Sequence, residues 1–436
     1  NPNILYAVIQ HQTESGTYRS DDAGMSWRKM SNVNPRPMYF SQIRVDPTND
    51  VRVYVGGVQI HISDDGGKTF IENGTLHSDH HALWINPANP KQVVGRFPNG
   101  TVEQATEAIE AADDAFKSWS QEPVEKRVQL LVDTADLMRK RKFELCAWLV
   151  YEVSKSWAEA AGDVEELIDF AMYYATQMER LGGPQDIVPI PGEQNELRYI
   201  PLGVGVVIPP WNFPGAIMGG MTMAAIVAGN TVVLKPASTS PTIAAIFVNL
   251  LREAGMPDGV VNFLPGPGGS IGDALVDHPR TRFIAFTGSK DVGLRIYERA
   301  AKVQPGQIWL KRTILEMGGK DSIVVDETAD LDAAAEGIVA AAFGFQGQKC
   351  SACSRAIIVE DVYDQVLEKA LERARKLKIG DPSDPGTYMG AVIDQKAFQK
   401  ISEYIEVGKK EGKLVLGGDV KDADKGYFVP RTILPD

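Results

Sequence analysis

The sequence predicts an α/β protein built on a doubly wound parallel sheet, preceded by an all-β fragment of about two propeller blades. Three observations predict this. From about residue 90 onward, apolar strand patterns alternate with helical ones, which yields a parallel sheet covered on both faces. Before that point an eight-residue pattern repeats between short β-branched runs. Histidine usage divides at the same place: His11, His61, His77, His80 and His81 precede residue 90, and only His278 follows.

The composition bounds the function. The chain has 436 residues, 45 Lys and Arg against 57 Asp and Glu, and a formal net charge of -12. At about 150 residues per domain this length suggests about three domains. The acidic balance argues against a general nucleic-acid-binding surface. Three cysteines exclude a disulfide scaffold and fit a reducing, cytoplasmic compartment. The first residue is Asn1 and no charged-then-apolar leader follows, so no signal peptide is expected. Residues 199 to 234 contain no Asp, Glu, Lys or Arg, long enough for a transmembrane candidate. Pro209, Pro210, Asn212 and Pro214 interrupt that stretch, so a buried strand, a loop and a helix are expected in place of a membrane span.

In the first part, Ser20-Asp21-Asp22-Ala23-Gly24-Met25-Ser26-Trp27 returns 43 positions later as Ser63-Asp64-Asp65-Gly66-Gly67-Lys68-Thr69-Phe70. A fainter echo runs through Pro2, Pro47 and Pro87. Strand runs such as 4–9 and 51–55 lie between these prolines. A period of about 40–50 residues with short strands points to blades of four strands each. Asp and Ser side chains are expected to bond turn amides, Gly to supply the positive φ, and the aromatic to pack between strands. The S-x-D-x-G-x-S/T-W/F element resembles the Asp-box of BNR, or sialidase-like, propeller repeats, a folding motif without chemistry of its own. A closed propeller takes about four blades, so residues 1–86 are expected to be incomplete or completed by another chain. His77-Ser78-Asp79-His80-His81 is the one metal-like cluster. Its ligands are crowded into one stretch and do not converge as a zinc site requires, so a polar loop and no metal are expected.

The turn Asn86-Pro87-Ala88-Asn89-Pro90 serves either part, and the junction is placed between residues 85 and 95. Thr101-Val102-Glu103-Gln104 forms a capping box, followed by Val102, Ala105, Ile109, Ala112 and Phe116 at helical spacing. A long helical stretch is expected from Val124 to about Gln177, with Arg139-Lys140-Arg141-Lys142 as a solvated face and Cys146 in the core. Strands are then expected at 205–208, 231–234, 260–264 and 283–286. Helices are expected around Met221, over 242–254 and from Ile271.

The strongest chemical signal is Phe343-Gly344-Phe345-Gln346-Gly347-Gln348-Lys349-Cys350, a cysteine on a Gly-Gln turn after an Ala-rich helix. Cysteine attacks only as thiolate, so its surroundings must activate it. Glu316, beside Gly318 and Gly319, offers a carboxylate where the backbone can pass close to a ligand. Asn212, in the loop Pro209-Pro210-Trp211-Asn212-Phe213-Pro214, offers a preorganised amide suited to an oxyanion. Together they make a covalent-catalysis set without histidine.

The P-W-N-F-P, L-K-P-A, F-T-G-S, E-x-G-G-K and F-x-x-x-G-Q-x-C motifs, in that order, resemble the aldehyde dehydrogenase superfamily over about residues 90 to 436. Residues 347–355 and Trp309-Leu310-Lys311-Arg312 are similar to its Bacillus-type 1-pyrroline-5-carboxylate dehydrogenases. These oxidise L-glutamate γ-semialdehyde to glutamate in proline degradation. The resemblance implies that Cys350 attacks the aldehyde while Asn212 and the Cys350 N–H hold the oxyanion. Hydride then leaves to the nicotinamide, and Glu316 activates water to hydrolyse the thioester. It also implies an NAD site. Lys235 contacts the adenosine ribose. Ser238 stands where many NAD-preferring members carry Glu, which leaves NADP open. Phe286, Gly288 and Ser289 open a helix whose amides suit a pyrophosphate. Ile208, Pro209, Trp211, Gly266, Val292, Met317 and Gly318 complete the cofactor set, although Gly266-Pro267-Gly268 departs from G-x-G-x-x-G. Phe213 and Ser351 are implied to meet the substrate, Ser351 through its α-carboxylate; a serine bonding its own turn is the alternative. Cys350 and Cys353 form C-x-x-C, read here as a nucleophile and a packed neighbour in place of a thioredoxin-like pair.

The implied organisation is a Rossmann-like cofactor domain over 90–318, an oligomerisation hairpin over 184–199 and a partial catalytic domain over 319–436. A homo-oligomer acting on a small-molecule aldehyde follows, with no nucleic-acid or membrane partner. The family's E-x-F-G-P glutamate, its substrate-carboxylate loop and its last oligomerisation strand are expected beyond Asp436. Two alternatives stay open. One is another semialdehyde dehydrogenase of the superfamily. The other is a chimeric chain whose first part is a propeller-type binding module derived from an exported protein.

Overall fold

The computed structural model describes residues 3–11, 13–35, 42–46, 49–56, 60–73, 82–89, 92–420 and 426–435. The chain divides into two units, Asn1–Asn99 with Asp422–Gly426 and Gly100–Lys421 with Tyr427–Asp436.

In the first unit the β-branched runs form antiparallel sheets. Strands β1 (Leu5–Ile9), β2 (Gly16–Ser20) and β3 (Arg28–Ser31) make one. A second contains β4 (Gln42–Asp46), β5 (Asn49–Gly56), β6 (Ile60–Ser63) and β7 (Ile71–Asn73). β8 (Ala82–Ile85) pairs with β9 (Val93–Phe97), so the junction placed at 85–95 falls inside this hairpin. Four described strands are thus present in one sheet and three in the other. The two repeated turns are built alike. Ser20 Oγ donates to Asp22 Oδ1 at 2.7 Å, while Gly24 N–H donates to Ser20 Oγ at 2.8 Å and Ser26 N–H to Asp22 Oδ1 at 2.8 Å. In the second copy Ser63 Oγ donates to Asp65 Oδ1 at 2.8 Å, Gly67 N–H to Ser63 Oγ at 2.8 Å and Thr69 N–H to Asp65 Oδ1 at 2.9 Å. Gly24 and Gly67 supply the positive φ, 94° and 85°. Hydrogen bonds from Ser26 and Thr69 hold both carboxyls down to about 2. Trp27 does not pack between strands as expected: it is 42% exposed, and its Nε1 donates to Gly24 O within its own turn. The His77–His81 stretch, Pro2 and Pro47 lie outside the described residues. Among the described residues no group of three or more His, Cys, Asp or Glu is placed to hold a metal.

The second unit begins with the capping box. Thr101 Oγ1 accepts from Gln104 N–H, and the Gln104 side chain accepts from Thr101 N–H, opening α1 (Val102–Trp119). Ala105, Ile109 and Ala112 are buried, whereas Val102 at the helix start is exposed. The helical stretch expected from Val124 is present and is divided into three helices: α2 (Val124–Lys140), α3 (Lys142–Val153) and α4 (Trp157–Leu181). Ser154 ends α3 in the left-handed region at φ 61°, a conformation no helix continues through. The basic run straddles the α2–α3 break in place of a single face. Arg139 pairs with Asp136, Arg141 with Glu144 and Glu253, and Lys142 with Glu165. Cys146 is buried as expected.

The uncharged stretch 199–234 becomes β10 (Val204–Ile208), a loop, α5 (Ala216–Val227) and β11 (Thr231–Leu234), with both strands and most of the helix buried. No described helix is long and apolar enough to cross a membrane. Next come α6 (Pro241–Glu253), β12 (Val261–Phe263), a π turn (Gly268–Gly272), α7 (Asp273–Asp277), β13 (Thr281–Thr287), α8 (Lys290–Ala300) and β14 (Arg312–Glu316). The helix expected from Ile271 therefore begins earlier and is short. Glu152 is buried and accepts from the N–H groups of Thr242 and Ile243. It caps α6, where Ser240 makes no side-chain cap bond. Burial pushes its carboxyl up to about 7, and the amide bonds pull the other way.

The sheet runs β12-β11-β10-β13-β14, all parallel. Its closest approach is at Gly205, where a Cβ would stand 2.1 Å from the Phe283 ring. Strand order reverses between β10 and β13, so their carboxyl ends open the crevice where such sheets bind ligands. Beyond it β15 (Asp321–Val325) pairs with β16 (Cys353–Ile358). Helices α9 (Leu331–Phe343), α10 (Glu360–Lys376) and α11 (Gln395–Glu411) complete the unit. Ala335 and Val339 of α9 pack on Ala370 and Ala374 of α10. The 184–199 segment is a hairpin with one antiparallel bridge, Gln185 to Leu197, and Val188 and Tyr199 are exposed.

Candidate active site

The crevice is a cavity of about 1020 Å³. It is lined by 209–212 after β10, by 286–289 and Val292 after β13, by Met317, Gly318 and Lys320 after β14, and by 348–350. Four segments distant in sequence meet there because each lies at the carboxyl end of a strand or a helix at the switch point.

The cysteine turn is held hard. After α9, Phe345 and Gln346 both take positive φ, 46° and 58°, unfavourable for side-chain-bearing residues. Their surroundings impose it. Phe345 is fully buried, Gln346 Nε2 donates to Ala391 O at 2.8 Å and to Ser154 O at 3.2 Å, and Ile393 N–H donates to Gln348 Oε1 at 3.0 Å. Cys350 stands exposed on the cavity wall with a free thiol. Asn212 Nδ2 donates to Gln348 O at 2.9 Å across 136 residues, which ties the 209–214 loop to the cysteine turn. Its Oδ1 is buried without a partner. Glu316 ends β14 paired with Thr287, and its carbonyl accepts from Gly288 N–H at 3.0 Å. The Glu316 residue is exposed and is not among those lining the cavity, although Met317 and Gly318 are.

Eight expected cofactor residues line the cavity: Pro209, Trp211, Phe286, Gly288, Ser289, Val292, Met317 and Gly318. Ile208, Lys235, Ser238 and Gly266 do not. The last three gather instead at the ends of β11 and β12. Ser238 Oγ donates to Gly266 O at 3.3 Å, and Lys235 Nζ donates to Pro236 O at 3.1 Å. Burial pushes the Lys235 ammonium down to about 8. Phe213 and Ser351, expected to meet the substrate, also lie off the cavity. The Phe213 ring faces Lys155, and the Ser351 side chain is exposed and makes no hydrogen bond. At the α8 N-terminus Ser289 makes no side-chain cap bond, which leaves first-turn amides without a cap. The helix packs closely on the segment after β14: a Cβ at Gly293 would stand 2.7 Å from Met317 Sδ.

Several lining residues escaped the sequence reading. Lys320 could have been taken from its place in E-x-G-G-K. Ala397, Lys400 and Tyr404 of α11, with Thr432 and Leu434, line another wall. Only the amphipathic pattern of α11 was visible in sequence, and it carries no information about which face meets the crevice.

Residues 76–436 match the model of the aldehyde dehydrogenase family. The 1-pyrroline-5-carboxylate dehydrogenase of Geobacillus kaustophilus (strain HTA426) is 59% identical over 355 residues, 81% of this chain and 68% of that protein. A solved structure of 1-pyrroline-5-carboxylate dehydrogenase from Thermus with bound NAD is similar at TM-score 0.79 and 50% identity, covering 83% of this chain and 70% of that one. Proline utilization A from Bdellovibrio bacteriovorus is similar at TM-score 0.79 and 45% identity, over 82% of this chain and 37% of that one. On its motifs, its sheet order and these likenesses, the chain belongs to the aldehyde dehydrogenase family.

Proposed function

We propose that the protein oxidises an aldehyde to a carboxylate with NAD as acceptor, the substrate being L-glutamate γ-semialdehyde formed from 1-pyrroline-5-carboxylate and the product glutamate. The observation that carries the chemistry is the 2.9 Å bond between Asn212 and the cysteine turn, in the cavity that also holds Cys350 and the α8 N-terminus. The names of the relatives at 59% and 50% identity support the substrate.

The residues then divide the work. Cys350 Sγ adds to the aldehyde carbon, because sulfur is both a strong nucleophile and a good leaving group. The Asn212 amide and the Cys350 N–H stabilise the charge that develops on the aldehyde oxygen. NAD, when bound, supplies the acceptor for the hydrogen and electron pair lost from that carbon. Glu316 removes a proton from the water that hydrolyses the thioester. The α8 amides with Gly288 and Ser289 hold the pyrophosphate, and Lys235 and Ser238 hold the adenosine end. A serine at 238 presents no negative charge to a 2′-phosphate, which leaves NADP open beside NAD. Cofactor and catalytic domains over 90–318 and 319–436, and assembly of copies through the 184–199 hairpin, belong to the same reading. A reducing, cytoplasmic compartment would keep the three cysteines as thiols.

Steady-state kinetics with pyrroline-5-carboxylate and with succinate semialdehyde tests the substrate. An efficiency at least about 10-fold higher on the former is expected of a site that bonds the extra polar groups. A preference for succinate semialdehyde would assign the protein to another branch of the family.

For residues 1–86 we propose two incomplete sialidase-like propeller blades, on the strength of the matched bonds at Asp22 and Asp65. Replacing either Asp by Ala is expected to remove hydrogen-exchange protection from the amides it holds, those of Ser26 or Thr69. A crystal structure in which the two sheets stack face to face as a sandwich would overturn the blade reading.

A further inference from the structure

Between α3 and α4 the tripeptide Ser154-Lys155-Ser156 is buried, 0%, 0% and 5% exposed, and none of it lines the cavity. Lys155 Nζ meets Asp163 Oδ2 at 2.9 Å, with both side chains fully buried. A buried ion pair of this kind is weak evidence for stability, because desolvation consumes most of the Coulombic gain. Its surroundings suggest another role. The ammonium lies 3.9 Å from the centre of the Phe213 ring and 4.7 Å from that of Phe345. The two rings are edge to face with centroids 6.4 Å apart. Phe213 follows Asn212 directly, and Phe345 is the strained residue at the start of the cysteine turn. Asp163 continues the linkage: its Oδ1 accepts from Ala216 N–H at 2.7 Å, fixing the far end of the oxyanion loop where α5 begins. Ser154 adds a third tie, its carbonyl accepting from Gln346 and its Oγ from Ala391 N–H.

We propose that Lys155 is a positioning residue for the oxyanion site: held by Asp163, its ammonium clamps the Phe213 and Phe345 rings and so sets the distance between Asn212 and the nucleophile's turn. This rests on the reading of Asn212 and Cys350 given above. A cation is attracted over the face of an aromatic ring, and here one ammonium meets two rings that stand nearly perpendicular, which favours one placement of each ring about it. An apolar side chain would fill the space without that directional preference.

The test is the double variant Lys155→Met, Asp163→Asn, which leaves no lone buried charge. Its kcat for aldehyde oxidation is expected to fall by about 100-fold, the loss associated with a displaced oxyanion donor. KM, NAD affinity and the rate of Cys350 alkylation by iodoacetamide, which needs no oxyanion donor, should each stay within about threefold of the unmodified protein. Adding Asn212→Ala to the double variant should lower kcat by less than about threefold more, because one residue acts through the other. A kcat within about threefold of the unmodified protein, or a full additive loss on adding Asn212→Ala, would overturn the proposal. Should the double variant not fold, Phe345→Leu removes one wall of the clamp and keeps the ion pair. It is expected to lower kcat at least about 10-fold, and an unchanged kcat overturns the idea equally. If the unmodified protein oxidises no aldehyde, the activity reading fails separately. A crystal structure of the double variant then decides the positioning role: an intact 2.9 Å Asn212–Gln348 bond refutes it, and a broken one supports it.

Discussion

Replacing Cys350 by alanine is expected to lower kcat for aldehyde oxidation by about 10⁴-fold or more, with NAD affinity unchanged. The size follows from covalent catalysis. Without sulfur no thiohemiacetal forms, and the oxyanion donors have no tetrahedral carbon to stabilise. Cofactor affinity should survive because the α8 amides are backbone groups and the Lys235 side chain is held by Pro236 O, neither through a bond to Cys350. Steady-state rates and a fluorescence titration with NAD check both halves. Activity retained in this variant would move attention to Cys353, three residues on, which is half-buried with its Sγ 3.5 Å from Arg355 O.

Replacing Glu316 by glutamine is expected to stall the second half of the reaction. The first NADH equivalent should still appear as a burst, and kcat should fall by about 10²–10⁴-fold, the range for loss of a general base. Intact-mass measurement during turnover should show the acyl group on Cys350. Glu316 is anchored through its backbone at the end of β14, where its carbonyl accepts from Gly288 N–H, and no hydrogen bond joins its exposed side chain to the cysteine turn. It can therefore be changed without disturbing the nucleophile or the oxyanion donor. Turnover of Glu316→Gln within about twofold of the unmodified protein, with no acyl adduct, would remove Glu316 from the mechanism.

Much of the fold was legible because its causes are local. The capping box at Thr101, the strand at 231–234 and the helix that starts after Ser289 each follow from a few neighbouring residues. The break at Ser154 was not legible. Nothing nearby in sequence forbids a helix through Ser154-Lys155-Ser156, and the left-handed turn is held by partners at Gln346 and Ala391, about 190 and 240 positions away. Trp27 failed for a similar reason. Its spacing matched a residue packed between strands, yet its indole bonds back to its own turn.

The sequence by itself determined the alternation that makes a parallel sheet, the order of the motifs and the identities of Cys350, Asn212 and Glu316. Hydrophobic period, glycine and proline placement and capping chemistry all act over a few residues, so they can be read directly. Only the tertiary structure decided that Asn212 bonds the cysteine turn, that Phe213 and Ser351 stand off the cavity, that α11 forms one of its walls and that a buried Lys155–Asp163 pair lies behind the two loops. Those relations join residues that approach one another only when layers pack, and packing distances across a sheet's switch point are set by the whole core, beyond the reach of any short pattern.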